Sequence, residues 1–483
     1  MPQTEIELRA LAESYGQEHV FSFWEQLNSE GRANLLEALD DIDFPLMQRL
    51  INDWVLNEPE AEHFAEIKPV PVISKVNPYR PDCIEALEAG EAALRAGEVG
   101  LFLVAGGQGT RLGFDGPKGA YPVGPVSGRS LFAFHAEKIH NLQNRYDCTL
   151  PWYIMVSETN GLETETFFQE HHYFGLDPHQ VQFLKQRMVP CVDEAGKFML
   201  ESPDCLAKNP NGHGGCIPAM VENGVIKDAS ERGVKYLCYF QVDNWAVKVA
   251  DPYFLGYHVL AQAQMSSKNH RKHAPREAVG VHCLCDGEYR VIEYSELDIY
   301  PQLLDTDPAG NVIYYAGNPA IHILSTKFVE DTFNRFDQFP WHRAHKKVPF
   351  INSEGELIEP ATPNAYKFET FVFDALRFID HKPVALEIEP PGEYTPIKSF
   401  TGENSVEGAW ETMREYWATW LEAAGYSVPR DIEGKVAVRI EISPQFALDQ
   451  KEFLDKAHNL SWPISGDIAI DQYGKFVLPD APV

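Results

Sequence analysis

An apolar run, Val99 to Val104, opens directly onto Ala105-Gly106-Gly107-Gln108-Gly109-Thr110-Arg111-Leu112-Gly113, and Pro117-Lys118 follows shortly after. A short, unbroken apolar run bounded by glycines reads as a buried strand. A strand that ends in glycines and then presents two cations is suited to a polyphosphate. The glycines remove side chains so that backbone N–H groups can approach the anion, and Arg111 and Lys118 supply charge where negative charge grows. Pro117 fixes the backbone ahead of Lys118. Two common phosphate cradles are excluded. A dinucleotide fingerprint needs a third glycine, which is missing after Gly107-Gln108-Gly109, and no register fits a Walker A loop. The missing glycine is a direct objection to a nicotinamide-dependent oxidoreductase.

The pattern around this loop alternates. Strands are predicted at Val99–Val104, Trp152–Val156, Val181–Leu184, Tyr236–Val242 and Ala278–Cys285, with helices between them at Ser130–Leu142, Leu162–His171, Gly215–Asn223 and Pro252–Gln264. Such alternation predicts an α/β fold, a Rossmann-like domain with a mostly parallel mixed sheet. Ligands of such sheets bind beyond the carboxyl ends of the strands, where the glycine loop and Asp243-Asn244 both fall. Further on, Tyr366–Phe378 reads as an apolar helix, Val384–Ile388 as a strand, Gly408–Ala424 as a helix and Lys435–Ile442 as a strand. Before the loop, helical spacing is seen at Ile6–Leu11, Val20–Leu27, Gly31–Leu39 and Pro81–Ala96, with an extended linker at Lys68–Pro78. The division expected is a helical segment over 1–95, a catalytic domain over 96–399 and a small C-terminal α+β domain over 400–483.

The formal net charge of −30 argues against a broad nucleic-acid surface, since such surfaces neutralise phosphates with clustered Lys and Arg. It also means that an anionic substrate must be held by a few placed cations or by a metal. No apolar stretch approaches the roughly 20 residues of a membrane span, and the first residues lack a signal-peptide pattern, so a cytoplasmic location is expected. The eight cysteines show no C-x-x-C spacing and read as free thiols of a reducing compartment. Nothing in the sequence specifies an oligomeric state.

With these residues in view, the segment from Gly106 to Lys118 resembles the signature of nucleotidyltransferases that join a nucleoside triphosphate to a sugar 1-phosphate. In its longer form it resembles the eukaryotic-type UDP-N-acetylhexosamine pyrophosphorylases of the UDP-glucose pyrophosphorylase superfamily. Co-linear blocks extend the likeness from about residue 100 to 445: Lys185-Gln-Arg-Met-Val-Pro190, Asn211-Gly-His-Gly-Gly215, Val242-Asp-Asn-Trp-Ala-Val-Lys-Val-Ala-Asp-Pro252, Glu293-Tyr-Ser-Glu296, Gly317-Asn318, Lys367-Phe-Glu-Thr-Phe-Val-Phe-Asp374, Tyr394-Thr-Pro-Ile-Lys398 and Ile440-Glu-Ile-Ser-Pro444.

The resemblance implies a reaction of UTP with a hexose 1-phosphate, N-acetylglucosamine 1-phosphate first among them, giving a UDP-sugar and pyrophosphate. It places Arg111, Lys118 and Lys367 on the UTP phosphates, Lys398 on the sugar phosphate and Asp243 on Mg²⁺. It seats the uridine on Val104, Ala105, Gly106, Gly107 and Gln186, and the sugar on Gly212, His213, Glu293, Tyr294 and Asn318. The side-chain chemistry agrees. A carboxylate at a strand end is a hard ligand suited to Mg²⁺, and a carboxamide such as Gln186 can pair with a pyrimidine edge. His213 departs from the acetylhexosamine pattern, which has Asn there, and matches the Gly-His-Gly of UDP-glucose and broad UDP-sugar enzymes. Glucose 1-phosphate or several sugars are therefore alternative substrates. A catalytically silent UDP-sugar binder is a further alternative, against which Arg111, Lys118 and Asp243 argue.

Overall fold

Val99–Val104 is flanked by strands on both sides and buried on both faces, which is why its sequence is continuously apolar rather than alternating. The structure, a computed structural model, describes residues 3–57, 61–402, 404–457, 464 and 466–477. The central sheet consists of β1 (Ile67–Pro69), β2 (Val99–Val104), β3 (Trp152–Val156), β4 (Val181–Lys185), β5 (Tyr236–Gln241), β6 (Met265–Arg271), β7 (Gly280–Cys285), β8 (Glu288–Ile292), β9 (Ala316–Asn318), β10 (His322–Ser325) and β11 (Val384–Ile388). Its order is β1-β7-β9-β6-β10-β5-β2-β3-β4, with β8 added to β7 and β11 to β6. The block β5-β2-β3-β4 is parallel, and β11 runs parallel to β6. The remaining pairings are antiparallel. The fold is therefore α/β with a mixed sheet, and the glycine loop leaves the carboxyl end of the parallel block.

The chain forms two compact, discontinuous units. One comprises residues 64–185, 217–336 and 375–483, and the other 1–63, 186–216 and 337–374. These units follow other lines than the linear division at 95 and 399. The first contains the central sheet and the helices Pro81–Arg95, Leu131–Tyr146, Gly161–Glu170 and Pro252–Leu260. Its C-terminal part, the helix Val406–Ala423 with a small sheet of Ile440–Ile442, Ile468–Ile470 and Phe476–Val477, packs into the same core. There Trp417 meets Trp245 edge-on at 5.4 Å. The second unit buries a core of its own, in which Leu8, Leu35, Phe44 and Leu50 pack with Val192, Phe198, Trp341 and Phe368. None of the described helices is long and apolar enough to cross a membrane, and all eight cysteines are free.

Several local expectations need correction. Tyr366–Phe378 is not one helix. Ala365–Glu369 is a strand paired with His342–Lys346, and a 3-10 helix covers Val372–Phe378. The aromatic and β-branched residues of this run suit a pleated surface once a partner strand is available. Lys367 thus lies on a strand and does not open a helix. Of Lys435–Ile442 only Ile440–Ile442 is strand. Val20–Leu27 breaks into 3-10 turns at Glu18–Phe21 and Trp24–Gln26, and the supposed linker contributes β1 to the sheet edge.

After Met265 strand β6 has no apolar residue, yet six of its seven residues are buried. Its polar groups find partners instead of water, as burial requires. Ser266 Oγ lies 2.7 Å from His258 Nδ1, Ser267 Oγ lies 2.9 Å from His322 Nδ1, and Asn269 Oδ1 lies 3.1 Å from His282 Nδ1. Burial pushes the pKa of His135 and of His258 down to about 3, with Lys138 adding to the effect at His135, and that of His282 down to about 4. The unfolded chain protonates these rings near 6.5, the folded one only far below. The stability they contribute is therefore complete above pH 6.5 and is lost as the pH falls towards 4. A pH series of thermal unfolding should show a loss of up to about 1.4 kcal/mol per pH unit for each such ring. A flat midpoint across that window would show that the rings titrate in the fold as they do in water.

Candidate functional site

The loop after β2 is built on its own backbone. Ala105 N–H donates to Met155 O at 2.8 Å, Gly109 N–H to Gly116 O at 2.9 Å and Lys118 N–H to Gly107 O at 3.0 Å. Asn160 Nδ2 ties the carbonyls of Ala105 and Gly107 from the side, at 2.8 and 3.2 Å. Gly113 has φ +67°, a left-handed conformation that favours glycine, and a Cβ on Gly119 would stand 2.1 Å from the Phe132 ring. Gly107 is different: it is exposed, and nothing lies within 4 Å of where a Cβ would be. The space over Gly107 is open to an incoming group. Arg111, four residues on, is exposed as well.

The loop delivers Lys118 to Asp243, which follows β5 beyond Val242. Lys118 Nζ lies 3.0 Å from Asp243 Oδ2, with the two side chains 12% and 17% exposed. Burial alone would raise the Asp243 carboxyl; the charges of Lys118 and then Lys398 outweigh it and hold the group below the ordinary carboxylate range. Lys398 sits on a loop that is sewn to the same place. Ile397 N–H donates to Asp243 O at 2.9 Å, and Phe400 N–H to Arg111 O at 3.1 Å. Desolvation would lower the Lys398 ammonium, but Tyr394 and Asp243 raise it, Tyr394 also through a side-chain hydrogen bond.

Tyr394 continues the chain of contacts. Its ring stacks on His270 at 5.0 Å, and His270 Nε2 lies 2.8 Å from Glu277 Oε1. His270 is paired with Gly317 in the sheet, next to Asn318. Asn318 is paired with Gly280, over which the Glu293 carboxylate lies, 3.2 Å from where a Cβ would be. Asn318 Oδ1 accepts from Ala320 N–H at 2.8 Å, and its buried Nδ2 is without a partner among the described residues. Tyr294 is 53% exposed on the turn after Glu293. Within this unit the structure therefore brings Arg111, Lys118, Asp243 and Lys398 to one region and connects it through Tyr394 and His270 to Asn318 and Glu293. Sequence reading missed His270 as a participant and gave Tyr394 no role. Only the Tyr394-to-Lys398 block signalled the second, and nothing in the polar run of β6 signalled the first.

In the other unit, Gln186 Nε2 donates to Asn211 Oδ1 at 3.0 Å and to Gly212 O at 2.5 Å. Gly212 has φ +81°, and a Cβ there would lie 2.2 Å from Thr370 O; at Gly214 it would lie 2.7 Å from Phe371 N. These glycines let the loop lie flush against 370–371, so it is tightly packed. His213 stacks on Phe371 at 5.2 Å, and its Nδ1 accepts from Val372 N–H at 3.1 Å. A neutral imidazole whose Nδ1 accepts carries its proton on Nε2, so His213 presents a donor there. Lys367 is half-buried on its strand, in register with Ala344. Its charge opposes the rise that burial imposes on Glu369.

No group of three or more His, Cys, Asp or Glu among the described residues could hold a metal ion. Asp243 is an ionised carboxylate at a strand end. That fits an ion of the Mg²⁺ type, which is commonly bound by one or two carboxylates with substrate phosphates completing its shell.

Residues 53–401 match the family described as UTP–glucose-1-phosphate uridylyltransferase, and the chain belongs to it. Among its relatives, UDP-N-acetylglucosamine diphosphorylase 2 of Arabidopsis thaliana is 34% identical over 470 residues, covering 92% of this chain and 90% of the relative. UDP-N-acetylhexosamine pyrophosphorylase-like protein 1 of Mus musculus is 37% identical, covering 82% and 81%. The solved uridine diphosphate N-acetylglucosamine pyrophosphorylase of Trypanosoma brucei superposes with a TM-score of 0.77 at 25% identity, covering 94% of this chain and 95% of that one.

Proposed function

We propose that this chain joins UTP to N-acetylglucosamine 1-phosphate, releasing pyrophosphate. The observation that carries the reading is the convergence of Lys118, Lys398 and the ionised Asp243 beside the glycine loop, in a chain whose relatives bear that activity in their names. A phosphate oxygen of the sugar phosphate attacks the α-phosphorus of UTP. The new O–P bond forms as the bond to the β-phosphate oxygen breaks, and the electron pair leaves with pyrophosphate. Phosphoryl-type transfer of this kind needs no protein nucleophile; positioning and charge do the work.

Arg111 and Lys118 take the β,γ-phosphates. An ammonium has three N–H donors, so Lys118 can hold Asp243 and a phosphate together. Lys398 neutralises the sugar phosphate, whose repulsion from UTP would otherwise keep the two apart. Asp243 would hold Mg²⁺, which supplies charge neutralisation at the α-phosphate. Val104, Ala105, Gly106 and Gly107 seat the uridine, while Glu293, Tyr294 and Asn318 meet sugar hydroxyls or the amide. The resemblance alone supports the uracil role of Gln186, the sugar roles of Gly212 and His213, and the phosphate role of Lys367. Residues 96–399 would form the catalytic domain, with 1–95 and 400–483 accompanying it, in the cytoplasm, where eight free thiols stay reduced.

The deciding experiment measures pyrophosphate release from UTP and Mg²⁺ with N-acetylglucosamine, N-acetylgalactosamine, glucose and galactose 1-phosphates. Preference for N-acetylglucosamine 1-phosphate is the expected result. A second reading, wider sugar acceptance, rests on His213, an imidazole where the acetylhexosamine enzymes have a carboxamide. Equal rates with glucose 1-phosphate would favour it, and UTP binding with no pyrophosphate release from any sugar would overturn both.

A further inference from the structure

Behind the Asp243 loop lies a cluster of four charges that the reaction described above does not use. Lys268, in the middle of β6, is 1% exposed. Its ammonium lies 2.7 Å from Asp251 Oδ2 and also contacts Glu393 Oε2. The other oxygen of Glu393 is 3.1 Å from Lys248 Nζ at the open edge of the cluster. Two ammonium groups and two carboxylates make it neutral. Its members come from two loops and the strand between them. Lys248 and Asp251 end the loop that begins at Asp243, and Glu393 begins the loop that ends at Lys398. The same two loops are stitched by backbone: Asn244 Nδ2 donates to Glu393 O, Thr395 N–H to Asn244 Oδ1 and Ile397 N–H to Asp243 O, each at 2.9 Å.

A buried ion cluster is a costly way to gain stability, because desolvation offsets most of the attraction. Its gain is geometric: a buried charge can be satisfied in very few arrangements. We infer that Lys268 and Glu393 clasp the loop carrying Asp243 to the loop carrying Lys398, and are positioning residues for the uridylyl transfer. This rests on the proposed function only for its effect on turnover; the clasp itself is a statement about the two loops.

The test is E393Q in the full chain, read in two ways. With UTP, Mg²⁺ and N-acetylglucosamine 1-phosphate, kcat should fall about 10–100-fold, the scale of a small misplacement of reacting groups. The KM for UTP should stay within about twofold, since its uniform binding is untouched. By hydrogen exchange, the amides of Thr395 and Ile397 should exchange about tenfold faster or more, as local opening becomes easier. The double variant K268M/E393Q restores neutrality, so its thermal midpoint should recover towards that of the unaltered chain while kcat and exchange do not. Should E393Q fail to fold, E393D keeps the charge on a shorter arm and should show the same changes at smaller amplitude. Unchanged protection of both amides in a folded variant overturns the clasp, as does recovery of kcat in the double variant, which would mean that only charge balance matters. If the unaltered chain releases no pyrophosphate, the functional reading falls and the exchange data alone judge the clasp.

Discussion

Lys118→Ala is expected to lower kcat by about 10²–10³-fold, the usual consequence of removing one preorganised charge from a site where negative charge develops. Two effects add in the same direction. On the proposed function, the leaving pyrophosphate loses a cation whose backbone is held by the Gly107–Lys118 hydrogen bond. Asp243 also loses its nearest partner, 3.0 Å away. Burial already pushes the Asp243 carboxyl up and Lys118 is the larger of the two charges holding it down, so in the variant the carboxyl must rise. A group whose folded pKa rises is protonated at higher pH, so in the absence of Mg²⁺ the Asp243 carboxyl of the variant should titrate at higher pH than in the unaltered chain. A turnover close to that of the unaltered chain would remove Lys118 from the chemistry.

The same residues show what was legible beforehand. Val99–Val104 could be read to the residue because a strand buried on both faces leaves an unbroken apolar run. The loop after it was legible because glycines and cations in close order have few other uses. Asp243 was legible as a carboxylate at a strand's end. Tyr366–Phe378 was misread because its eight apolar residues in thirteen satisfy helical and extended patterns alike, and the deciding fact, a partner strand at His342–Lys346, is remote in sequence. The packing role of Gly212 and Gly214 was hidden for a similar reason. Their missing side chains make room for Thr370 and Phe371, more than 150 residues away by number. Strand β6 carried no apolar pattern, since after Met265 its buried side chains are polar and are matched by groups brought from elsewhere. Hydrophobic patterning locates the sheet's apolar core and is blind to its polar one, where Lys268 lies.

Lys398→Ala should cost turnover on the same scale, about 10²–10³-fold, but with a different signature. Lys398 interacts electrostatically with Tyr394 and Asp243 and follows Ile397, whose N–H donates to Asp243 O; it is not part of the glycine loop. If it serves the sugar phosphate, its loss leaves two anions to approach each other with one cation fewer, so kcat falls and the KM for the sugar phosphate rises. Binding of UTP, which retains Arg111 and Lys118, changes little. Arginine is not an equivalent replacement, because a planar guanidinium does not reproduce the compact point charge of an ammonium; Lys398→Arg should recover only part of the rate. Titrating UTP at saturating sugar phosphate, and the reverse, separates the two substrates. A rise in the KM for UTP with the sugar-phosphate KM unchanged would move Lys398 to the nucleotide, and an unchanged rate would leave the sugar phosphate without its counter-ion in this fold.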